Sequence, residues 1–166
     1  MRTYWIEQLP GMPELPYCCA GPVRPERVTS TFIEEGYFVE YFDYPYDRQR
    51  TVAMLFGPRE FVVRCHPVFS TIQALDRSSV VEFSYGNVFR TLRQFPEAAV
   101  HYKIVKELYE KKVADRLVLA RIESDEDRFR FVREKQGWVL SRVPDGLIAG
   151  YLGVSRERLA ELKRGV

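Results

Sequence analysis

The chain has 166 residues, enough for one compact domain or two small ones and too short for a barrel enzyme. Hydrophobic residues make up 46% and charged residues 29%, which excludes a disordered chain, and a net charge of +2 means that any basic surface must be local. No run of about 18 apolar residues exists, which excludes a membrane-spanning helix. Pro10, Pro13 and Pro16 stand where a signal peptide would need an apolar run, so a cytoplasmic protein is expected.

Cys18, Cys19 and Cys65 are too few for a disulfide framework and lack zinc-ligand spacing, and His66 and His101 lie far apart. No metal or other cofactor is expected. No Ser-His-Asp set or phosphate-cradling glycine loop points to an enzyme.

Composition divides the chain near Pro96. Nine of the ten prolines lie at or before it, all six lysines after it, and the second part carries 15 basic against 12 acidic residues. The first part reads as β. Thr31 to Gly36 and Tyr37 to Asp43 have the pattern of paired strands around a glycine. Turn residues at Pro45 to Arg48 precede a strand over Thr51 to Phe56, and Gly57-Pro58 turns the chain toward Phe61 to Val63. Strands over Phe69 to Leu75 and Ser79 to Phe83 complete an antiparallel sandwich or roll.

From Tyr85 the period changes. Val88, Phe89 and Leu92 form one face of a short helix that ends before Pro96. A long helix is predicted from Glu97 to about Ile122, with a stripe of Ala98, Tyr102, Val105, Tyr109, Val113, Leu117 and Ala120, widened by Ile104, Leu108 and Val118. At about 39 Å such a helix exceeds what a small roll needs for packing, so the stripe either seals a dimer or lies on its own chain. Ser124 and Asp125 to Asp127 place a cap and acids at the start of the next helix, which Gly137 ends.

The most informative segment runs from Leu147 to Leu162. Pro144-Asp145 opens a helix, Gly153 suits the left-handed turn that follows, and Ser155 caps a second helix. Ala149 is small where two helices must cross, and Ile148, Leu152, Val154, Leu159 and Leu162 are spaced to meet between them. This is the helix-turn-helix pattern, whose second helix enters the DNA major groove. Arg156 and Arg158 then face guanine edges or phosphates, and Glu157 a cytosine amino group. Ser155 at the helix N-terminus suits a phosphate, and Lys163 and Arg164 suit the DNA backbone.

Taken together, Phe32 to Gly36, Leu55 to Phe61, Glu82 to Tyr85, the long helix and Ile148 to Glu157 resemble the Crp/Fnr family of bacterial transcription regulators, over roughly residues 15–164. The resemblance implies an α+β chain. A β-roll similar to cyclic-nucleotide-binding domains would fill residues 1–96, a dimerisation helix 97–123, and a C-terminal helix-turn-helix unit 124–166. The implied function is that of a DNA-binding regulator acting as a homodimer on a palindromic site in double-stranded DNA, with Tyr102, Val105, Tyr109, Val113 and Leu117 in the dimer seam.

Three departures qualify that expectation. Members that bind cyclic AMP carry Gly-Glu and Arg-Ser pairs in a phosphate cassette; here Phe61 to Ser70 is shortened, Val68-Phe69 stands at the Arg-Ser position, and Arg64 is alone. Cyclic AMP is therefore not expected as an effector, and no other effector is identified. The residues after the second helix leave no length for most of the family's wing, and Glu161 stands where a basic residue often meets DNA. An abbreviated N-terminal helix is the smaller difference. The alternative reading is a β-roll sensor or protein-interaction module without effective DNA binding.

Overall fold

The computed structural model describes residues 2–6, 29–43, 50–63 and 70–165. Cys18, Cys19, Arg64, Cys65, His66 and the Val68-Phe69 pair lie outside them. Among the described residues seven strands form two antiparallel sheets: β1 (Arg2–Ile6), β2 (Thr29–Glu35), β3 (Phe38–Asp43), β4 (Arg50–Phe56), β5 (Phe61–Val63), β6 (Ser70–Ala74) and β7 (Ser78–Ser84). One sheet has the order β1-β7-β2-β5 and the other β4-β3-β6.

The reading of residues 31–43 as two paired strands is corrected here. β2 pairs with β5 and β7, whereas β3 pairs with β4 and β6. Gly36 is a corner between sheets rather than a hairpin turn. Its φ is +95°, and a Cβ there would lie 2.0 Å from Ser78 Oγ. The neighbouring crossing from β6 to β7 is tied to the same corner, where the Tyr37 N–H donates to Asp76 Oδ1 at 2.9 Å and the Leu75 N–H to the Tyr37 carbonyl at 2.8 Å.

Within the three-stranded sheet the register slips once. Tyr41 stands opposite Val52 and Glu40 opposite Met54, so Ala53 is an extra residue. Strict alternation would put Val52, Met54 and Phe56 on one face. The slip instead sends Val52 and Leu55 to one hydrophobic cluster and Met54 and Phe56 to another.

Six helices follow: α1 (Tyr85–Gln94), α2 (Ala98–Arg121), α3 (Asp125–Lys135), α4 (Trp138–Arg142), α5 (Asp145–Leu152) and α6 (Arg156–Arg164). Ser84 caps α1 by accepting from the Asn87 N–H at 3.2 Å, and Ser124 caps α3 by accepting from Asp127 at 3.3 Å. Two elements have no counterpart in the sequence reading, the strand β1 and the one-turn helix α4. Among the described residues no helix is long and apolar enough to cross a membrane.

Two cores result. Ile33, Phe38, Met54, Phe56, Val62, Ile72 and Val80 fill the roll, with Tyr109 and Val113 of α2 packed against them. The second core draws Val39, Val52 and Leu55 from the roll, Leu119 from α2, and Phe129, Val132, Val139, Ile148, Leu152, Leu159 and Leu162 from the later helices. The roll and the helices that follow it are thus joined by shared burial.

Candidate nucleic-acid interface

α5 and α6 owe their geometry to local chemistry. α5 ends in a left-handed residue, Gly153 at φ +70°, and the Val154 N–H reaches the Ala149 carbonyl at 3.0 Å while that of Gly153 reaches Gly150 at 3.3 Å. This paired closure satisfies the last carbonyls of the helix and turns the chain sharply. Ser155 then starts α6 by accepting from the Arg158 N–H at 3.1 Å. Ile148, Ala149, Leu152, Leu159 and Leu162 are all buried, and Val154 is half-buried, so the apolar positions meet between the helices.

The polar residues of α6 are not equivalent. Arg156 is exposed, and its guanidinium covers Gly146 at the start of α5, where a Cβ would lie 2.7 Å from it. Among the described residues no acid pairs with it. Arg158 is held by three carboxylates, through Asp125 at 3.3 Å, Glu126, and Glu161 at 3.0 Å. The Glu161 and Asp125 hydrogen bonds push the Arg158 guanidinium above its ordinary range. Asp125 is held below the usual carboxylate range mainly by the Arg128 hydrogen bond, and Glu126 by its own backbone N–H and Ser124.

Lys163 donates to Asp145 at 2.5 Å, and Arg164 to the Ala160 carbonyl at 3.3 Å. The Glu157 carboxyl lies below its usual range because its own N–H and Ser155 hydrogen-bond to it. Arg156, Glu157, Arg158, Lys163 and Arg164 thus share one helix with Ser155 at its cap, but acids of the same chain already engage Arg158 and Lys163. The sequence reading recognised Asp125 and Glu126 only as partners of the α3 terminus.

A second residue was missed altogether. Arg116 of α2 donates to the Tyr151 carbonyl of α5 at 2.9 Å and to the Val52 carbonyl of β4 at 3.2 Å, and its guanidinium lies 4.4 Å from the centre of the Tyr151 ring. It links roll, long helix and α5. Nothing in the apolar period of α2 marks it.

The expected dimer stripe divides along α2. Tyr109 and Val113 pack on their own roll and Val105 is half-buried, while Tyr102 and Leu117 are exposed. The residues expected to widen the stripe, Ile104, Leu108 and Val118, are exposed, and Val100 is exposed beside them. Val100, Ile104, Leu108 and Val118 are 47% to 62% exposed and, at 100° per residue, fall within a sector of about 80° away from Tyr109.

No family model matches the sequence, and no curated protein matches it. Solved structures do match. FixK2 from Bradyrhizobium japonicum superposes with a TM-score of 0.71 at 12% identity, covering 99% of this chain and 83% of that one. The c-di-GMP-responsive global regulator CLP from Xanthomonas campestris gives 0.65 at 16% identity, covering 99% and 85%. A transcriptional regulator of the Crp/Fnr family from Eubacterium rectale gives 0.58 at 13%, covering 82% and 68%. Roll, long helix and helix-turn-helix together give this chain the fold of the Crp/Fnr regulators.

Proposed function

We propose that the protein is a transcription regulator that binds double-stranded DNA as a homodimer. The observation that carries this reading is the α5–α6 pair, with its left-handed Gly153, its Ser155 cap and a buried seam, at the end of a chain with the Crp/Fnr fold. The division into a roll through residue 96, a dimerisation helix over 97–123 and a DNA-binding unit from 124 belongs to the same proposal.

On this reading Arg156 reads bases, because it lies in the first turn of α6 without an acidic partner among the described residues, and Glu157 beside it accepts from a base amino group. Ser155, Lys163 and Arg164 meet phosphates. Arg158 chiefly holds α6 against α3. The dimer forms through α2, and the open face of Val100, Ile104, Leu108 and Val118 is its centre, while Tyr102 and Leu117 are exposed on the side of the helix that carries Tyr109. Two recognition helices related by a two-fold axis call for half-sites about 34 Å apart.

Selection from a random duplex library at low salt tests this. A pseudo-palindrome should be enriched by the native chain, and Arg156→Ala should flatten the preference among half-sites. Lys163→Ala should weaken all sequences alike and reduce the salt dependence. One observation favours the alternative of a sensor or interaction module: Asp125, Glu126, Glu161 and Asp145 neutralise Arg158 and Lys163. A library that enriches nothing decides for that alternative.

A further inference from the structure

The turn Gly57 to Glu60, between β4 and β5, holds an arginine where arginine is disfavoured. Arg59 has φ +67°, the left-handed region, directly after Pro58. At that position of such a turn glycine or asparagine is the usual residue, because a Cβ crowds the following carbonyl. The backbone leaves no choice. The Arg59 N–H donates to the Ile33 carbonyl at 2.7 Å, the Ile33 N–H donates to the Glu60 carbonyl at 3.0 Å, and the Gly57 N–H donates to Glu60 Oε2 at 2.9 Å. A strained residue kept in so fixed a place points to a use for its side chain.

That side chain lines an open cleft of about 220 Å³ where the turn, α2 and the end of α3 meet. Four cations, Arg59, Lys111, Lys112 and Lys135, and two acids, Glu60 and Asp115, border it. Lys112 is largely buried and answers Glu60 at 2.5 Å, which clamps the turn to α2; burial lowers its pKa despite that partner. Among the described residues no acid pairs with Arg59, Lys111 or Lys135. With Lys112 answered by Glu60, three cations face the single carboxylate of Asp115.

We propose that this cleft binds a compact polyanion of the phosphate or polycarboxylate class, held by Arg59, Lys111 and Lys135. The volume is below that of pockets for drug-sized ligands and fits a molecule of few atoms with two or more negative charges. A DNA backbone would also offer phosphates, but a concave cleft with acids on its border suits a small ligand better. Gln136, buried at the same cleft, accepts from the Tyr151 hydroxyl at 3.5 Å, and Tyr151 carries Arg116 on its ring. An anion shared by Arg59 and Lys135 therefore ties the roll to α3, next to the helix-turn-helix. The inference stands apart from the DNA reading, since it concerns a different ligand and residues outside α5 and α6, although the cleft borders the open face of α2 at Leu108.

Calorimetry of the full chain with inorganic pyrophosphate at low ionic strength tests it. The native protein should show saturable binding to one site per chain. Arg59→Gly is the informative variant, because glycine takes the left-handed conformation freely. It should melt at an unchanged or higher temperature yet bind pyrophosphate about tenfold more weakly or worse. Lys135→Gln, a surface change at the end of α3, should weaken binding in the same direction. Absence of saturable binding by the native chain, or equal binding by Arg59→Gly, overturns the proposal. Pyrophosphate-independent loss of duplex DNA binding in Arg59→Gly, without pyrophosphate binding by the native chain, also overturns it and assigns the cleft to nucleic acid.

Discussion

The two hydrophobic cores of the molecule are built by different rules. The roll core is closed by strands whose partners face each other across two sheets, and α2 contributes only Tyr109 and Val113 at its edge. The second core has no single layer. It takes three roll residues, one residue of α2 and the buried faces of α3 to α6, so helices that would have little apolar surface to bury among themselves gain a platform. Short helices of five to nine residues such as α4, α5 and α6 are marginal alone. The position of α5, and through it that of α6, is therefore set by packing on the roll as much as by the turn between them.

Neighbouring residues of β4 separate the two cores experimentally. Leu55 and Phe56 are both fully buried, one in each core. Leu55→Ala should cost about 2–5 kcal/mol and Phe56→Ala about 3–5 kcal/mol in urea unfolding. Only Leu55→Ala should also raise amide exchange throughout α5 and α6 in the native state; equal exchange in both variants would merge the two cores into one.

Arg116→Met is expected to have the next largest effect. It removes two hydrogen bonds from a charged donor and the stacking on Tyr151, and should cost about 1.5–3 kcal/mol by thermal melting. Burial already pulls the Arg116 pKa down, so its charge is held against a desolvation penalty. Tyr109→Asp and the double change Ile104→Asp with Leu108→Asp form the third comparison. The first strikes the roll and should lower the melting temperature, whereas the second strikes an open face and should yield a monomer of nearly native stability by light scattering. A monomer from Tyr109→Asp with no loss of stability would restore the stripe first read from the sequence.

The smallest effect is a pH dependence. Asp125 and Glu126 have folded pKa values below their ordinary range, so in that window the unfolded chain binds more protons than the folded one. Their contribution is complete above the unfolded values near pH 4 and is lost as the pH falls through the lower folded values. Melting temperatures of the native chain should fall over that acid range, and Arg158→Gln should make the fall shallower.

What the sequence revealed follows the range of the constraint. The helix-turn-helix is legible because Ala149, Gly153 and Ser155 act within seven residues, through a backbone angle, a close crossing and a cap. The strands were legible one by one, yet the pairing of Thr31–Gly36 with Tyr37–Asp43 was not, because a glycine corner and a hairpin glycine look alike until the partner strands are known. β1 was invisible for the same reason, its partner β7 lying more than 70 residues away. On α2 two apolar faces compete, and the face with the more regular steps packs against the roll at Tyr109 and Val113. At the candidate interface Arg156 and Arg158 look equal in sequence, and only the approach of α3 distinguishes the open cation from the engaged one.

The slipped register at Ala53 has a consequence for how the chain can change in length. It gives β4 one residue of slack. Loss of Ala53 would leave Val52 opposite Tyr41 and Met54 opposite Glu40, as they are now, and every remaining side chain on its present side. A second loss would find no slack and would turn one end of the strand over, exchanging the residues given to each core. Relatives that differ in length within this strand should differ by one residue at that point, with the flanking valine and methionine positions still apolar.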